Sequence, residues 1–531
     1  MRALRSTGRR GHVLLAASAI VLLLLTVSAS GCGEDNSADQ STQPSVATYA
    51  FGWGFPDWDP AILSDHAAIL ANIYETLLRY EPDSDTLTPI LATEYSKSED
   101  GLTWTFKIRQ GVKFHDGTVL DAAAVKYSIE RTIKLDKGMS YIWAPVKSID
   151  APDDATVVFN LEYPAPIDLI SSSSMGAYIV SPTAVKSHAK KWLSEGNEAG
   201  TGPYMLERYD MGDQVVLAKF PDYWGGWEGS HFDRAVIRSV TETTTRRQMI
   251  EAGEIDVTAE LPVEDVEALK SRSDLVVDVA KSYINLQIAQ NTKKAPLDDV
   301  RVRQAMAYAY PYQEAIDLVL GGYATQARSI VPVAMWGTSS DVFQYTTDPD
   351  KARQLLADAG YADGNMELSA VYSSGDEVER RLLELYRDAL SDVGVTLKVR
   401  AVPWETQWEQ AKGSDPPQDM LILYWYPTYP DPLDFLYSMG HSEEEPLWNL
   451  AYWSNPEYDK LIDEGSKLSA TDRAAATANY VTAQNILQDE VPWISLVDMS
   501  YVSILRADLK GFLYNPAYQY VVFFYDCYRE Q

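Results

Sequence analysis

Three stretches of the chain carry residue types that could bind or react. The densest is Tyr424-Trp425-Tyr426-Pro427-Thr428-Tyr429-Pro430-Asp431-Pro432, where aromatic rings and prolines surround one hydroxyl and one carboxylate. Rings of this kind offer a ligand flat, amphipathic faces. Rings and prolines in direct succession cannot all be buried, so some of them should line a surface or a cleft. A second run, Trp53-Gly54-Phe55-Pro56-Asp57-Trp58-Asp59-Pro60, mixes aromatic and turn residues in the same way. The third, His115-Asp116-Gly117, suggests acid–base chemistry, but reads more simply as a tight turn after a strand, with Gly117 taking a positive φ. Trp336 is a further aromatic candidate.

Signatures of covalent and nucleotide chemistry are missing from the sequence. It contains no G-x-x-x-x-G-K-[ST], G-x-G-x-x-G, H-E-x-x-H or G-x-S-x-G motif. His66, His115, His188, His231 and His441 are too far apart in sequence to suggest a metal site. No catalytic residue, metal or cofactor is therefore expected. Paired carboxylates leave a glycoside hydrolase as the enzymatic rival, yet among 76 acidic residues close pairs arise by chance.

The elements that must position these residues are mixed α and β. The 531 residues suffice for about three domains, and 46% hydrophobic content supplies a sizeable core. Trp104, Phe106 and Ile108 alternate with polar neighbours, which predicts a strand at Thr103–Arg109. Asp121 is placed to cap a helix carrying Ala122, Val125, Ile129 and Ile133 on one stripe. Strands are expected at Val157–Leu161, Glu367–Tyr372, Val395–Val399 and Met420–Leu423. Helices are expected at Lys351–Ala359 and Glu377–Val393, ended by Gly360 and Gly394. Strands alternating with helices between 350 and 430 predict an α/β lobe; residues 80–200 read as hairpins with helices. The aromatic run then forms the loop off the strand Met420–Leu423, where α/β sheets hold ligands.

Charge and the N-terminus place the protein. The net charge of −31 repels phosphate backbones, so no nucleic-acid partner is expected. Arg2, Arg5, Arg9 and Arg10 precede an apolar run from Val13 to Val27, too short to span a bilayer, followed by Ser28-Ala29-Ser30-Gly31-Cys32. This order resembles a bacterial lipobox, with Ala29 where Leu is usual, and makes 1–31 a signal peptide and Cys32 the lipidated residue. Residues 32–45 form a flexible polar linker. Cleavage removes four arginines and takes the charge from −31 to −35. Cys527 is then the one remaining cysteine without a lipid. The membrane is met only through the lipid anchor.

Ordered blocks along nearly the whole mature chain carry a family resemblance. They include Asn72–Leu77, Asp100–Phe106, Arg109–Gly117, Thr201–Tyr204, Gly253–Asp256, Asp299–Ala305 and Glu490–Ile494. Together they resemble the bacterial ABC-importer solute-binding lipoproteins of the oligopeptide-, dipeptide- and nickel-binding family, the family 5 extracellular solute-binding proteins. The resemblance implies an α/β, two-lobed periplasmic-binding-protein-like fold with an extra inserted domain and an interlobe cleft. A discontinuous first domain would comprise 46–80, 200–305 and 505–531, with 81–199 inserted and 306–504 forming the second lobe. It implies a monomer that closes by a hinge on a peptide or another extended solute, an oligosaccharide being the alternative, and delivers it to an ABC permease. A sensor subunit without a permease is a rival within the fold. Pro311 departs from the family's usual Asp and should end its helix early. The implied ligand contacts are Trp53, Phe55, Trp58, Tyr424, Trp425, Tyr426, Thr428 and Asp431. In peptide-binding relatives an Asp three residues after the loop Trp pairs with the α-ammonium; here that position is Thr428. Unless Asp431 or Asp434 takes its place, a free amine should matter little to binding.

Overall fold

Two long strands, Leu275–Gln290 and Trp493–Arg506, organise the largest sheet in this computed structural model. The described residues are 44–530 apart from 65–66, 82–85, 363 and 414–415, so Cys32 and the targeting segment lie outside them. The two strands pair antiparallel from Leu275↔Arg506 to Ala289↔Trp493, with register shifts between Lys281 and Asn285 and between Leu286 and Gln287. A register shift bends and twists a strand pair. On one side of the bend the sheet continues through Val257–Ala259, Val46–Phe51, Arg234–Ser239, Gln214–Lys219 and Tyr204–Asp210. On the other side it continues through Met420–Trp425, Met366–Ser373 and Val395–Val402. The sheet is thus shared by two lobes, with the strand pair crossing between them.

Local sequence explains the elements around this frame. Trp104, Phe106 and Ile108 are buried on one face of Thr103–Ile108, as their alternation requires. That strand lies in a separate antiparallel sheet, in the order Ala92–Lys97, Thr103–Ile108, Thr156–Leu161, Val146–Asp153. The helix Ala122–Leu135 starts where Asp121 accepts a hydrogen bond from the Ala124 N–H. Val125 and Ile129 are buried, whereas Ile133, in the last turn, is 37% exposed. Gly117 has φ +82° and turns the chain after Phe114. His115 there is a strut: Nδ1 meets Glu198 at 2.8 Å and Nε2 the Gly202 carbonyl at 2.9 Å.

In the α/β half, Pro349–Asp358 and Glu377–Asp392 are helices capped by Asp348 and Asp376. Met366–Ser373 runs parallel to both Val395–Val402 and Met420–Trp425. One detail differs from the sequence reading. The strand expected to end at Leu423 continues to Trp425, because Tyr424 and Trp425 pair with Leu286 and Asn285. Leu286 and Ile288 share a core with Val302 and Ala305. The helix Val300–Ala309 stops ahead of Pro311, since the residue before a proline avoids the helical region; Tyr310 has ψ 131°.

Candidate ligand-binding cleft

Both lobes turn the carboxyl ends of parallel strands toward one another. Val46–Phe51 is parallel to Val257–Ala259, and their ends deliver Trp53 and Glu260. From the other lobe, Met420–Trp425 delivers Tyr424 and Tyr426, and the turn after Met366–Ser373 delivers Asp376. Arg381, on the helix that Asp376 caps, meets Glu264, four residues after Glu260, at 3.4 Å, so the two sets lie together across the cleft, and the Asp376 charge helps to raise the Glu260 pKa. In open α/β sheets this is where ligands lie.

The first wall is built around Glu260. It is exposed to water and holds a left-handed φ of 56°, uncommon for a residue with a side chain. The Trp53 indole N–H donates to Glu260 Oε2 at 3.0 Å, and Trp53 is 46% exposed. Tyr520 also hydrogen-bonds Glu260, and its ring centroid lies 5.7 Å from that of Trp53. Desolvation by the surrounding side chains raises its pKa. Arg246 lies behind it, donating to the Glu260 main-chain carbonyl at 3.2 Å and to the Val240 carbonyl at 2.6 Å.

The second wall carries the aromatic run. Tyr424 is half-buried and hydrogen-bonds Asp376, which also accepts the Glu379 N–H at 2.8 Å as a helix cap. Tyr426 and Pro427 border a narrow cavity with Met175, Ile284 and Gln519. Thr428 is buried in a bridge between lobes. The Tyr141 hydroxyl donates to Asp434 Oδ1 at 2.8 Å and lies 2.8 Å from Thr428 Oγ1, which must then donate to it. Asp434 Oδ2 accepts the Thr428 N–H at 2.7 Å, and Ser173 Oγ donates to the Thr428 carbonyl at 2.7 Å. A larger cavity of about 350 Å³, lined by Tyr95, Lys97, Asp168 and Arg473, shares none of these residues.

The structure separates the sequence candidates into two groups. Trp53, Tyr424 and Tyr426 stand at the strand ends, and Thr428 lies in the bridge with Tyr141 and Asp434. Phe55 and Trp58 pack on Tyr209 instead, with centroids 5.8 and 4.8 Å away. Trp425 is 9% exposed and sits edge-on to Trp448. Asp431 is fully buried and caps the helix Pro432–Gly440 through the Leu433 N–H. Trp336 packs on Tyr480. Sequence reasoning did not single out Glu260, Asp376, Tyr520 or Tyr141. The first two stand just past strand ends, a position that could have marked them.

A hinged pair of lobes presenting strand ends and aromatic walls to a shared cleft defines a solute-capturing protein. The chain belongs to the bacterial extracellular solute-binding proteins, family 5, whose profile matches residues 86–446. It is 30% identical over 474 residues to the probable D,D-dipeptide-binding periplasmic protein DdpA of Escherichia coli K12, covering 87% of this chain and 90% of DdpA. The glutathione-binding protein GsiB of Salmonella typhimurium is 29% identical over 478 residues, covering 88% of this chain and 91% of its own. Among solved structures, DppA of Helicobacter pylori with the peptide STSA superposes with TM-score 0.79 at 24% identity, over 92% of this chain and 98% of DppA. CtaP of Listeria monocytogenes reaches TM-score 0.82 at 21% identity, over 92% and 100%. The last two likenesses speak for the fold.

Proposed function

We propose that this chain is the ligand-capturing lipoprotein of an ABC importer for short peptides. It closes its cleft over the peptide and hands it, unaltered, to a membrane permease. The observation that carries the reading is the facing of Trp53, Glu260 and Tyr520 against Tyr424, Tyr426 and Asp376 across a bent strand pair. Relatives named for D,D-dipeptides and glutathione support the ligand class. In this reading the first lobe comprises 46–80, 200–305 and 505–531 with 81–199 inserted, and the second lobe 306–504. The Tyr141–Thr428–Asp434 bridge then belongs to the closed form, and ligand must favour that form over the open one.

The test combines calorimetry with small-angle scattering on the soluble mature chain, using D-Ala-D-Ala, Met-Leu and glutathione. At least one is expected to bind at micromolar affinity or better, about −8 kcal/mol, and to shrink the radius of gyration. No binding by any, or binding with an unchanged radius, would count against the proposal.

The lipid anchor is part of the same proposal and rests on Ser28–Cys32. Cys32→Ser is expected to accumulate as unprocessed precursor or to leave the membrane fraction. A variant processed and membrane-bound like the parent would remove the anchor from the reading.

A further inference from the structure

The cleft contains two facing carboxylates that the function as proposed does not yet use. Glu260 comes from the first lobe and Asp376 from the second, and each lies against rings: Trp53 and Tyr520 on one side, Tyr424 on the other. The side-chain hydrogen-bond donors to Glu260 are a neutral indole and a neutral phenol. The nearby cation, Arg246, is 2% exposed and directs its N–H groups to the carbonyls of Val240, Thr241 and Glu260. The donors to Asp376 among the described residues are likewise neutral: the Glu379 and Val378 N–H groups and the Tyr424 hydroxyl.

A second observation points to the same recess. Tyr514 is 3% exposed and its hydroxyl has no hydrogen-bond partner among the described residues. It joins the Glu260 recess through Tyr501, whose ring centroid lies 6.1 Å from that of Tyr520, the partner of Glu260. The ring of Tyr514 is fixed by stacking on Tyr501 at 4.1 Å. A buried hydroxyl left unpaired beside a carboxylate is costly unless something completes the site.

We propose that Glu260 and Asp376, with the ring faces of Trp53, Tyr520 and Tyr424, form a subsite for the ammonium group of the ligand. The proposal rests on the reading that a peptide occupies this cleft, and it names the group by which the peptide is recognised. Carboxylate oxygens supply charge-assisted hydrogen bonds, and aromatic faces attract a cation independently. The arrangement also couples binding to closure. Two like charges approaching from opposite lobes repel as the cleft narrows; an ammonium between them turns that repulsion into attraction on both sides. The carboxylate missing at Thr428 is thus replaced from elsewhere in the fold, because Asp431 caps a helix and Asp434 is held by Tyr141 and the Thr428 N–H.

The experiment loads the soluble mature chain with an equimolar library of dipeptides, each present free and N-acetylated, with N-acetyl-Lys-Ala included. The retained peptides are read by mass spectrometry, for the parent and for the isosteric Glu260→Gln/Asp376→Asn variant. The parent is expected to retain free dipeptides at least tenfold over their acetylated forms, and the variant to lose that preference while keeping its melting temperature. Selective recovery of N-acetyl-Lys-Ala among the acetylated peptides would assign the ammonium to a side chain. Retention without regard to charge, or a preference unchanged in the variant, overturns the subsite while leaving the peptide reading intact. A library from which the parent retains nothing overturns the peptide reading, and the subsite with it. A variant that melts early is replaced by the single Glu260→Gln change, judged by the same preference.

Discussion

The melting temperature of the mature chain is expected to be highest near pH 4 and to fall by roughly 3–5 °C by pH 8, on the scale of a few kcal/mol in a chain of this size. Five buried carboxyls set the direction. Burial holds Glu75 at about 7, despite hydrogen bonds from Trp224, Thr201 and Tyr223. Burial likewise holds Asp431 and Asp498 at about 7 and Asp434 at about 6. Glu379 reaches about 8 through burial and the neighbouring Asp376. The ordinary values are 3.8 for Asp and 4.5 for Glu, so between about pH 4 and pH 8 the folded chain keeps protons that the unfolded chain releases. Stability must then decrease as pH rises through that window. His115 adds to the trend: burial pulls its pKa down, but the hydrogen bond and charge of Glu198 raise it overall. Its contribution is full below the unfolded value of 6.5 and lost as pH passes the folded one. Self-repulsion of the acidic chain acts in the same sense. Below about pH 4 the opposite group takes over, since Asp116 and Asp233 titrate low in the fold. Differential scanning calorimetry from pH 4 to pH 8 checks this, and Glu379→Gln should flatten the slope. A midpoint constant or rising from pH 5 to pH 8 would contradict the buried-acid account.

Much of the fold was legible because it rests on short-range patterns. The alternation around Phe106, the cap at Asp121 and the glycine stops after the helices at 351–359 and 377–393 are local statements, and local physics decides them. The aromatic run at 424–432 was legible as a concentration of rings, yet its division between cleft and core was not. Tyr424 and Trp425 are neighbours on one strand, so their side chains take opposite faces, and only the pairing with Leu286 and Asn285 fixes which face is which. Trp53, Phe55 and Trp58 look alike in sequence; Tyr209, on a strand far along the chain, takes the latter two into packing. The bend between Lys281 and Asn285 depends on the register of two distant strands and leaves no signature in either. Glu260 and Asp376 were illegible for the same reason. Each is one acidic residue among 76, and only the facing of strand ends singles them out.

Replacing Asp59 by Ala is expected to lower stability by about 3–5 kcal/mol, the size of breaking a buried ion pair from one side. Asp59 is 3% exposed and grips Arg131 in a two-pronged contact, Nη1 to Oδ1 at 2.7 Å and Nη2 to Oδ2 at 2.5 Å. Oδ1 also accepts the Ala61 N–H at 3.1 Å, while the Asp59 N–H is held by Asp57 at 2.8 Å. Arg131 stands on the helix of the inserted region, so the pair pins the aromatic segment 53–60 to that helix. Burial alone would pull the Arg131 pKa down, and its bond to Asp59 reverses the sign. Removing the carboxylate leaves a guanidinium that is mostly buried and has lost its counter-charge, which costs far more than the pair contributes net. Removing both charges avoids that penalty. Asp59→Ala/Arg131→Met should therefore unfold at a higher denaturant concentration than Asp59→Ala alone, recovering more than half of the loss. A double-mutant cycle by urea unfolding measures the difference. A loss below about 1 kcal/mol for Asp59→Ala, the range of an exposed pair, would mean that water reaches Arg131 and that the segment bearing Trp53 is held by the packing of Trp58 on Tyr209 instead.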